Sequence, residues 1–286
     1  MASIPSPTQR IFINRDGLRL VADELGPEDG PLVLLLHGGG QTRASWGRAV
    51  VQLAEAGFRA ITLDQRGHGE SDWSPAGEYD PSCYSQDLED ILRQLPPGAA
   101  LVGASLGGLA AMITIANGWD NSACALVLVD IVPRIDREGS QEIFDFMAAN
   151  PHGFASVEEA ADAVAAYLPH RPRPKDTSGL QRNLRQRDDG RYYWHWDPSM
   201  ISRGIPDQNE TTARLEEAAR KIRVPTLLIR GARSRLVSIE AARELLQVIP
   251  HAEFVDVADA HHMVAGDAND AFVAPLLEFL GRTLSN

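Results

Sequence analysis

Residues 99–111 read Ala-Ala-Leu-Val-Gly-Ala-Ser-Leu-Gly-Gly-Leu-Ala-Ala. An apolar, strand-like run, Ala99 to Gly103, passes through one hydroxyl residue into a helical segment, Leu106 to Ala116. At the turn lies a Gly-x-Ser-x-Gly pattern, Gly103-Ala104-Ser105-Leu106-Gly107. A side chain on a sharp strand-to-helix turn is forced into strained backbone geometry, and its neighbours must be small to permit it. Gly103, Gly107 and Gly108 supply that room. The helix N-terminus behind Ser105 stabilises negative charge developing beside it. Ser105 is therefore the candidate nucleophile.

Outward from this turn the chain alternates strand and helix. Ile11 to Asn14 and Leu18 to Leu25 read as short strands joined at Asp16-Gly17, a hairpin turn. Leu32 to Leu36 and Ala125 to Val129 are unbroken apolar runs, as expected of strands buried on both faces of a parallel sheet. Phe58 to Leu63, Thr226 to Ile229 and Glu253 to Val257 complete eight strand candidates with Ala99 to Gly103. Helices are expected at Ala44 to Ala56, at Ile239 to Val248, at Ala271 to Leu284, and from the Asp80-Pro81 cap to about Leu95. The pattern predicts an α/β fold, a mostly parallel eight-stranded sheet with helices on both faces.

Between Ile131 and Arg223 the alternation stops. Helical segments are expected at Phe144 to Ala149, Gly179 to Arg187 and Thr212 to Lys221, and Ser156 with Glu159 forms a capping box for one running to Leu168. His170 to Lys175, with its two prolines, reads as a loop. Phe154, Tyr192, Tyr193, Trp194 and Trp196 gather aromatic surface in the same region. The expected organisation is a core of residues 1–131 and 222–286 with a helical cap, residues 132–221, inserted into it.

Composition narrows the classes. A formal net charge of −12, from 27 Lys+Arg against 39 Asp+Glu, argues against nucleic-acid binding, which depends on neutralising phosphates. Hydrophobic residues at 44% and charged residues at 23% are ordinary globular values. A chain of 286 residues can bury roughly 75% of its unfolded surface without disulfide or metal support. Cys83 and Cys124 make neither a disulfide framework nor a zinc pattern. Met1 to Arg10 lacks the layout of a secretory signal, and no apolar run reaches the roughly 18 residues of a membrane helix. A soluble, cytoplasmic protein with no membrane partner is expected.

Three further motifs surround the serine. His37-Gly38-Gly39-Gly40 follows the strand Leu32 to Leu36, and a glycine turn there can point backbone N–H groups into a pocket. The N–H groups of Gly39 and Leu106 are the expected oxyanion hole, with Gly40 at the substrate. Asp64 to Asp72, with Arg66 and His68 inside it, reads as a hydrogen-bonded structural loop, and His37 as a loop-organising histidine. Ala260-His261-His262-Met263 supplies a base, without which a serine hydroxyl is inert. Two adjacent histidines on an irregular loop cannot both face one site, so the residues alone leave either His261 or His262.

From about Ile11 to its end the chain resembles the α/β-hydrolase fold superfamily, in which the motifs run in this order. The resemblance is to its capped serine esterases and lactonases, and also to proteins labelled non-haem peroxidases. It implies that His262 is the base, with His261 in place of a usual glycine. It also exposes a departure. The usual acid slot in Arg230-Gly231-Ala232-Arg233-Ser234 holds Ser234. Some relatives carry the acid after the sixth strand instead, and Asp130 ends that strand here. Asp130 is thus the expected third member of a Ser-His-Asp triad, against a strand-end turn cap or an acid-free dyad.

A serine also restricts the chemistry. Epoxide hydrolases and haloalkane dehalogenases of the fold attack with Asp, because their alkyl intermediate must be a hydrolysable ester. Ser105 would leave an ether, so acyl chemistry is expected: hydrolysis of a small to medium, rather apolar carboxylic ester or lactone. Trp194 and Trp196 either line the substrate site or hold the cap on the sheet. Arg171, Arg173, Arg182, Arg185 and Arg187 form either a solvated face or a subsite for a substrate carboxylate. The alternatives on the same fold are a carbon–carbon bond hydrolase, a cofactor-free perhydrolase and a non-catalytic ligand-binding receptor. No cofactor or metal motif is present in the sequence, and oligomeric state is not encoded in any motif.

Overall fold

The apolar runs are strands whose two faces are both covered. The computed structural model describes residues 6–284 except 172, 174, 203, 205–207 and 263–268. Pro172, Pro174 and Met263, and residues 1–5 of the stretch read for a secretory signal, therefore lie outside the described residues. Strands β1 (Thr8–Ile13), β2 (Arg19–Leu25), β3 (Leu32–Leu36), β4 (Arg59–Leu63), β5 (Ala99–Ala104), β6 (Ala123–Val129), β9 (Thr226–Gly231) and β10 (Glu253–Val257) form one sheet. Its order is β1-β2-β4-β3-β5-β6-β9-β10. β2 runs antiparallel to both β1 and β4, and the remaining neighbours pair in parallel.

Alternate residues of the central strands enter two separate apolar cores. Leu32, Leu34 and Leu36 of β3 join Leu101 and Leu128 on one face. Helices α2 (Pro81–Arg93), α3 (Leu106–Thr114), α7 (Gln208–Lys221) and α8 (Ile239–Val248) cover that face through Leu88, Met112, Leu215 and Leu245. Val33 and Leu35 face the other way, towards α1 (Gly47–Glu55) and the C-terminal helix α9 (Asn269–Leu284). Burial on both faces is why these strands lack polar alternation.

Local chemistry sets the helix starts. Asp80 accepts the Ser82 N–H at 2.9 Å, with Pro81 in the first turn of α2. Helix α5 (Val157–Tyr167) opens on Ser156, whose hydroxyl accepts the Glu159 N–H at 3.2 Å. The Glu159 carboxylate reaches back to the Ala155 N–H, one residue beyond the expected reciprocal bond.

The segment between β6 and β9 departs most from expectation. Helix α4 (Arg137–Ala148) is twice the length read from Phe144 to Ala149. The expected helix at Gly179 to Arg187 is instead a 3₁₀ turn, Ser178–Asn183, followed by strand β7 (Leu184–Gln186). β7 pairs antiparallel with β8 (Tyr192–Trp194) around the Asp188-Asp189-Gly190 turn, with Gly190 at φ 78°. A turn built on Asp-Gly and a β-prone Tyr-Tyr-Trp run outweigh the weak helical period of 179–187. A short helix, α6 (Ser199–Ser202), follows. Helix α7 then packs Leu215, Ala218 and Ala219 into the core against the sheet's helix layer rather than against the rest of the insertion.

The order β4-β3-β5 puts the reversal of strand order between the parallel neighbours β3 and β5. In open α/β sheets the crevice outside the carboxyl ends of the strands at such a reversal is where ligands bind. Among the described residues, no helix is long and apolar enough to cross a membrane.

Leu34 is fully buried at the centre of β3. Leu34→Ala is expected to destabilise the fold by about 3 kcal/mol, measurable as a lower midpoint in urea unfolding followed by tryptophan fluorescence.

Candidate active site

Ser105 sits at φ 47° and ψ −114°, between the last residue of β5 and the first of α3. Three glycines make that turn possible by close approach. A Cβ on Gly103 would lie 2.4 Å from the Gly108 nitrogen, and one on Gly107 2.4 Å from the Leu36 carbonyl oxygen. A Cβ on Gly108 would meet the Ile131 Cγ2 at 2.4 Å. The elbow is thereby wedged against the ends of β3 and β6.

The turn after β3 presents the Gly39 N–H. The Gly38 N–H donates to Gln41 Oε1 at 3.1 Å, and the Gly40 N–H to His68 Nε2 at 3.1 Å. Among the described residues, the N–H groups of Gly39 and Leu106 take part in no hydrogen bond. Leu106 opens α3, where the first N–H groups have no partner within the helix. Both residues line the same cavity as Ser105 and His262.

Asp130 ends β6 at φ 49° and is fully buried. Its Oδ1 accepts the Gly231 N–H at 3.0 Å, while Oδ2 accepts the Ser234 hydroxyl at 2.5 Å. The same Oδ2 lies 2.7 Å from His262 Nδ1. A carboxylate only accepts, so Nδ1 carries the ring proton and Nε2 keeps its lone pair. Ser234 is held in turn by the N–H groups of Leu236 and Val237, at 3.1 and 3.2 Å. The residue in the usual acid slot thus donates to the carboxylate that stands elsewhere. Gly231 lets the histidine loop approach, since a Cβ there would lie 2.3 Å from the His261 carbonyl oxygen. His261 is turned away, with its ring stacked on His170 at 3.6 Å.

The cavity has a volume of about 750 Å³. Gly40, Trp194 and Trp196 line it, beside Phe146, Met147 and Tyr167 from α4 and α5. The two indoles stack with centroids 5.0 Å apart and also join a small apolar cluster within the insertion. Arg171 and Arg182 lie on the cavity wall. The other arginines singled out in this segment are engaged elsewhere: Arg173 pairs with Asp162 at 2.5 Å, and Arg187 lies over the Tyr193 ring at 3.9 Å. Arg185 donates to the Gly69 carbonyl and covers Trp73, at 4.9 Å from its ring centroid.

Composition and motif gave no signal for His195, which is buried between Trp194 and Trp196 of the cavity wall. Its Nδ1 accepts the Gly69 N–H at 2.8 Å, and its Nε2–H donates to the Gly40 carbonyl at 3.3 Å. It stands beside His68, and His68 beside His37, with ring centroids 5.9 and 4.9 Å apart. Burial pushes His37 down to about 4 and His68 down to about 3, the latter helped by its neighbour His37. His195 is held well below the ordinary histidine value by the same desolvation.

The family is readable in the sequence as a whole. A model of the alpha/beta hydrolase fold matches residues 31–268. The chain belongs to this family. It is 32% identical to an esterase of Mycobacterium tuberculosis over 85% of this chain and 80% of that protein. It is 30% identical to a 2-(acetamidomethylene)succinate hydrolase of Mesorhizobium japonicum over 82% of each. It is also 27% identical to a non-heme chloroperoxidase of Kitasatospora aureofaciens, over 95% of this chain and 99% of that one. A crystal structure of an E-2-(acetamidomethylene)succinate hydrolase shares the fold with a TM-score of 0.85 over 96% of this chain and 99% of that chain, at 24% identity. The esterase and hydrolase relatives support hydrolase activity for this α/β-hydrolase.

The buried histidines set a stability signature. Each has a folded pKa below the unfolded value of about 6.5, so the unfolded chain binds more protons once pH falls through that value. Stability is complete above about pH 6.5 and falls as pH is lowered towards the folded values of about 4 and about 3. Thermal melts between pH 7.5 and 4.5 are expected to show this loss, and His68→Gln should flatten it.

Proposed function

We propose that the protein is a serine carboxylic-ester hydrolase acting on a small to medium, rather apolar ester or lactone. The observation that carries the reading is the convergence on one cavity of Ser105, an Asp130-bound His262 and the unengaged N–H groups of Gly39 and Leu106. In this reading His262 Nε2 takes the Ser105 proton as Oγ attacks the substrate carbonyl carbon. The negative charge that moves onto the carbonyl oxygen is met by the two N–H donors. His262 then returns the proton to the departing alcohol oxygen, leaving an acyl group on Ser105. Water, deprotonated by His262, attacks the acyl carbon and releases the acid, and the proton goes back to Ser105.

Asp130 keeps the His262 tautomer with its lone pair towards the serine and offsets the imidazolium charge. Ser234 and the Gly231 N–H orient that carboxylate. The mainly aliphatic and aromatic wall favours an apolar substrate, because few of its groups could replace the water lost by a highly polar one. We further assign residues from 132 up to α7 as the cap over this site, with α7 part of the core on the strength of its packing.

A fluorophosphonate probe should label the wild type once, on Ser105, as read by intact mass and peptide mapping. Asp130→Asn should slow that labelling and the turnover of p-nitrophenyl butyrate by about 10²- to 10⁴-fold. Rapid labelling at another residue, or labelling unaltered in Asp130→Asn, would overturn this assignment. Trp196→Ala is expected to raise KM for butyrate and hexanoate esters more than for acetate, read from initial rates.

A further inference from the structure

The three peptide units of the glycine turn are held by three imidazoles. Peptide planarity places the C=O and N–H of one unit on opposite sides. In the Gly38–Gly39 unit, the carbonyl oxygen accepts His37 Nδ1–H at 2.8 Å and the Gln41 N–H at 3.1 Å. The Gly39 N–H of that unit is thereby turned the other way. In the next unit the Gly40 N–H is fixed on His68 Nε2, and in the third the Gly40 carbonyl is fixed on His195 Nε2–H. Gly40 itself is at φ 71°, one of several backbone conformations equally open to a residue without Cβ. Its orientation is therefore set by what grips its two polar groups.

The tautomers follow from the partners. His37 Nε2 accepts the Gln65 N–H at 3.0 Å, so its proton is on Nδ1. His68 Nδ1 lies 2.9 Å from the Arg66 carbonyl and donates to it, leaving Nε2 to accept from Gly40. His195 Nδ1 accepts from Gly69, so Nε2 is its donor. His37 and His68 come from the core loops next to the site, whereas His195 comes from the inserted segment directly after β8.

We propose that His195 is a positioning residue for the oxyanion hole, supplied by the insertion and acting through the Gly40 carbonyl on the aim of the Gly39 N–H. This rests on the serine-hydrolase reading above. The hairpin can serve this purpose because it is fastened to the core on the same side. The Asp197 N–H donates to the Gly67 carbonyl at 2.9 Å, and Tyr79 donates its hydroxyl proton to Asp197 Oδ2 at 2.6 Å. His195 does not line the cavity that holds Ser105, so it alters the rate only through the geometry of the turn.

Asparagine and glutamine separate the two bonds of His195. In His195→Asn the new amide oxygen replaces Nδ1 and keeps the Gly69 bond, but nothing reaches Gly40. In His195→Gln the amide nitrogen replaces Nε2 and restores the donor to Gly40. With p-nitrophenyl butyrate, His195→Asn should lower kcat about 10- to 100-fold, short of the loss of a whole oxyanion donor, with KM within about twofold. His195→Gln should recover kcat to within about threefold of wild type. Melting temperatures recorded alongside report folding of both variants. Equal kcat losses in the two variants, unchanged kcat in His195→Asn, or a change confined to KM would overturn the positioning role while leaving the hydrolase reading intact. A wild type that hydrolyses no ester and takes no fluorophosphonate would overturn that reading and this inference with it.

Discussion

A serine rests at φ 47° and ψ −114° only where its surroundings overrule its own preference, at a cost of order 1–3 kcal/mol. Here the surroundings are the ends of three parallel strands. β5 delivers the chain, α3 begins at once, and Gly103, Gly107 and Gly108 let those backbones come within contact of β3 and β6. The strain cannot relax without parting strands whose faces are both sealed in apolar cores. Burial of Leu34, Val102 and Leu126 far from the chemistry is thus part of what holds the Ser105 side chain out from the turn.

The carboxyl ends of the parallel strands supply the other groups as well, Gly39 after β3, Asp130 after β6 and His262 after β10, and this gives the arrangement tolerance in one place. In the proposed triad a carboxylate stands beside His262 Nδ1, and the sheet offers two neighbouring strand ends from which it can come. β6 carries the Asp, and β9 leads into the serine that donates to it. With Gly231 and Ser234 both donating to a fully buried Asp130, the carboxylate keeps hydrogen bonds in place of its lost water. A lone Asp in the same spot would leave those lone pairs unsatisfied.

The fold was legible because its signals are local. Unbroken apolar runs such as Leu32 to Leu36 mark strands buried on both faces, and Asp80-Pro81 marks a helix start. The glycines around Ser105 mark a close approach whose partners no sequence names, yet whose need for space is visible. In the insertion the signals weaken. At 179–187 a faint helical period competed with a pairing to Tyr192–Trp194 that depends on a turn several residues away. The packing of helix α7 is likewise invisible in the sequence, since only the tertiary structure brings Leu215 into one apolar cluster with Met112 and Leu245. In the site, Ser105, His262, Gly39 and Leu106 stand in recognisable motifs, and the structure brings them to one cavity. The choice of His262 over His261, and Asp130 as the acid, needed the resemblance as well, since two adjacent histidines and an Asp at a strand end are each open to more than one reading. His195 left no trace in the sequence, because its meaning lies in hydrogen bonds to Gly69 and Gly40, more than a hundred residues earlier.

β6 and β9 are adjacent in the sheet, paired from Leu126 with Thr226 to Val129 with Ile229, although the whole insertion separates them in the chain. The two ends of the insertion are therefore splinted by the sheet itself, and lengthening a loop between fixed ends costs only a slowly rising entropy. This is a socket into which a lineage can fit new sequence without refolding the scaffold. It is not a uniform socket. α4 and α5, which contribute Phe146, Met147 and Tyr167 to the cavity wall, can be rewritten to suit a different substrate. The β7–β8 hairpin is mortised into the core through Asp197 and His195, so exchanging it disturbs the glycine turn beside Ser105 as well as the cavity wall. Evolution or design that seeks a new substrate here has most freedom in the helices and least in the hairpin.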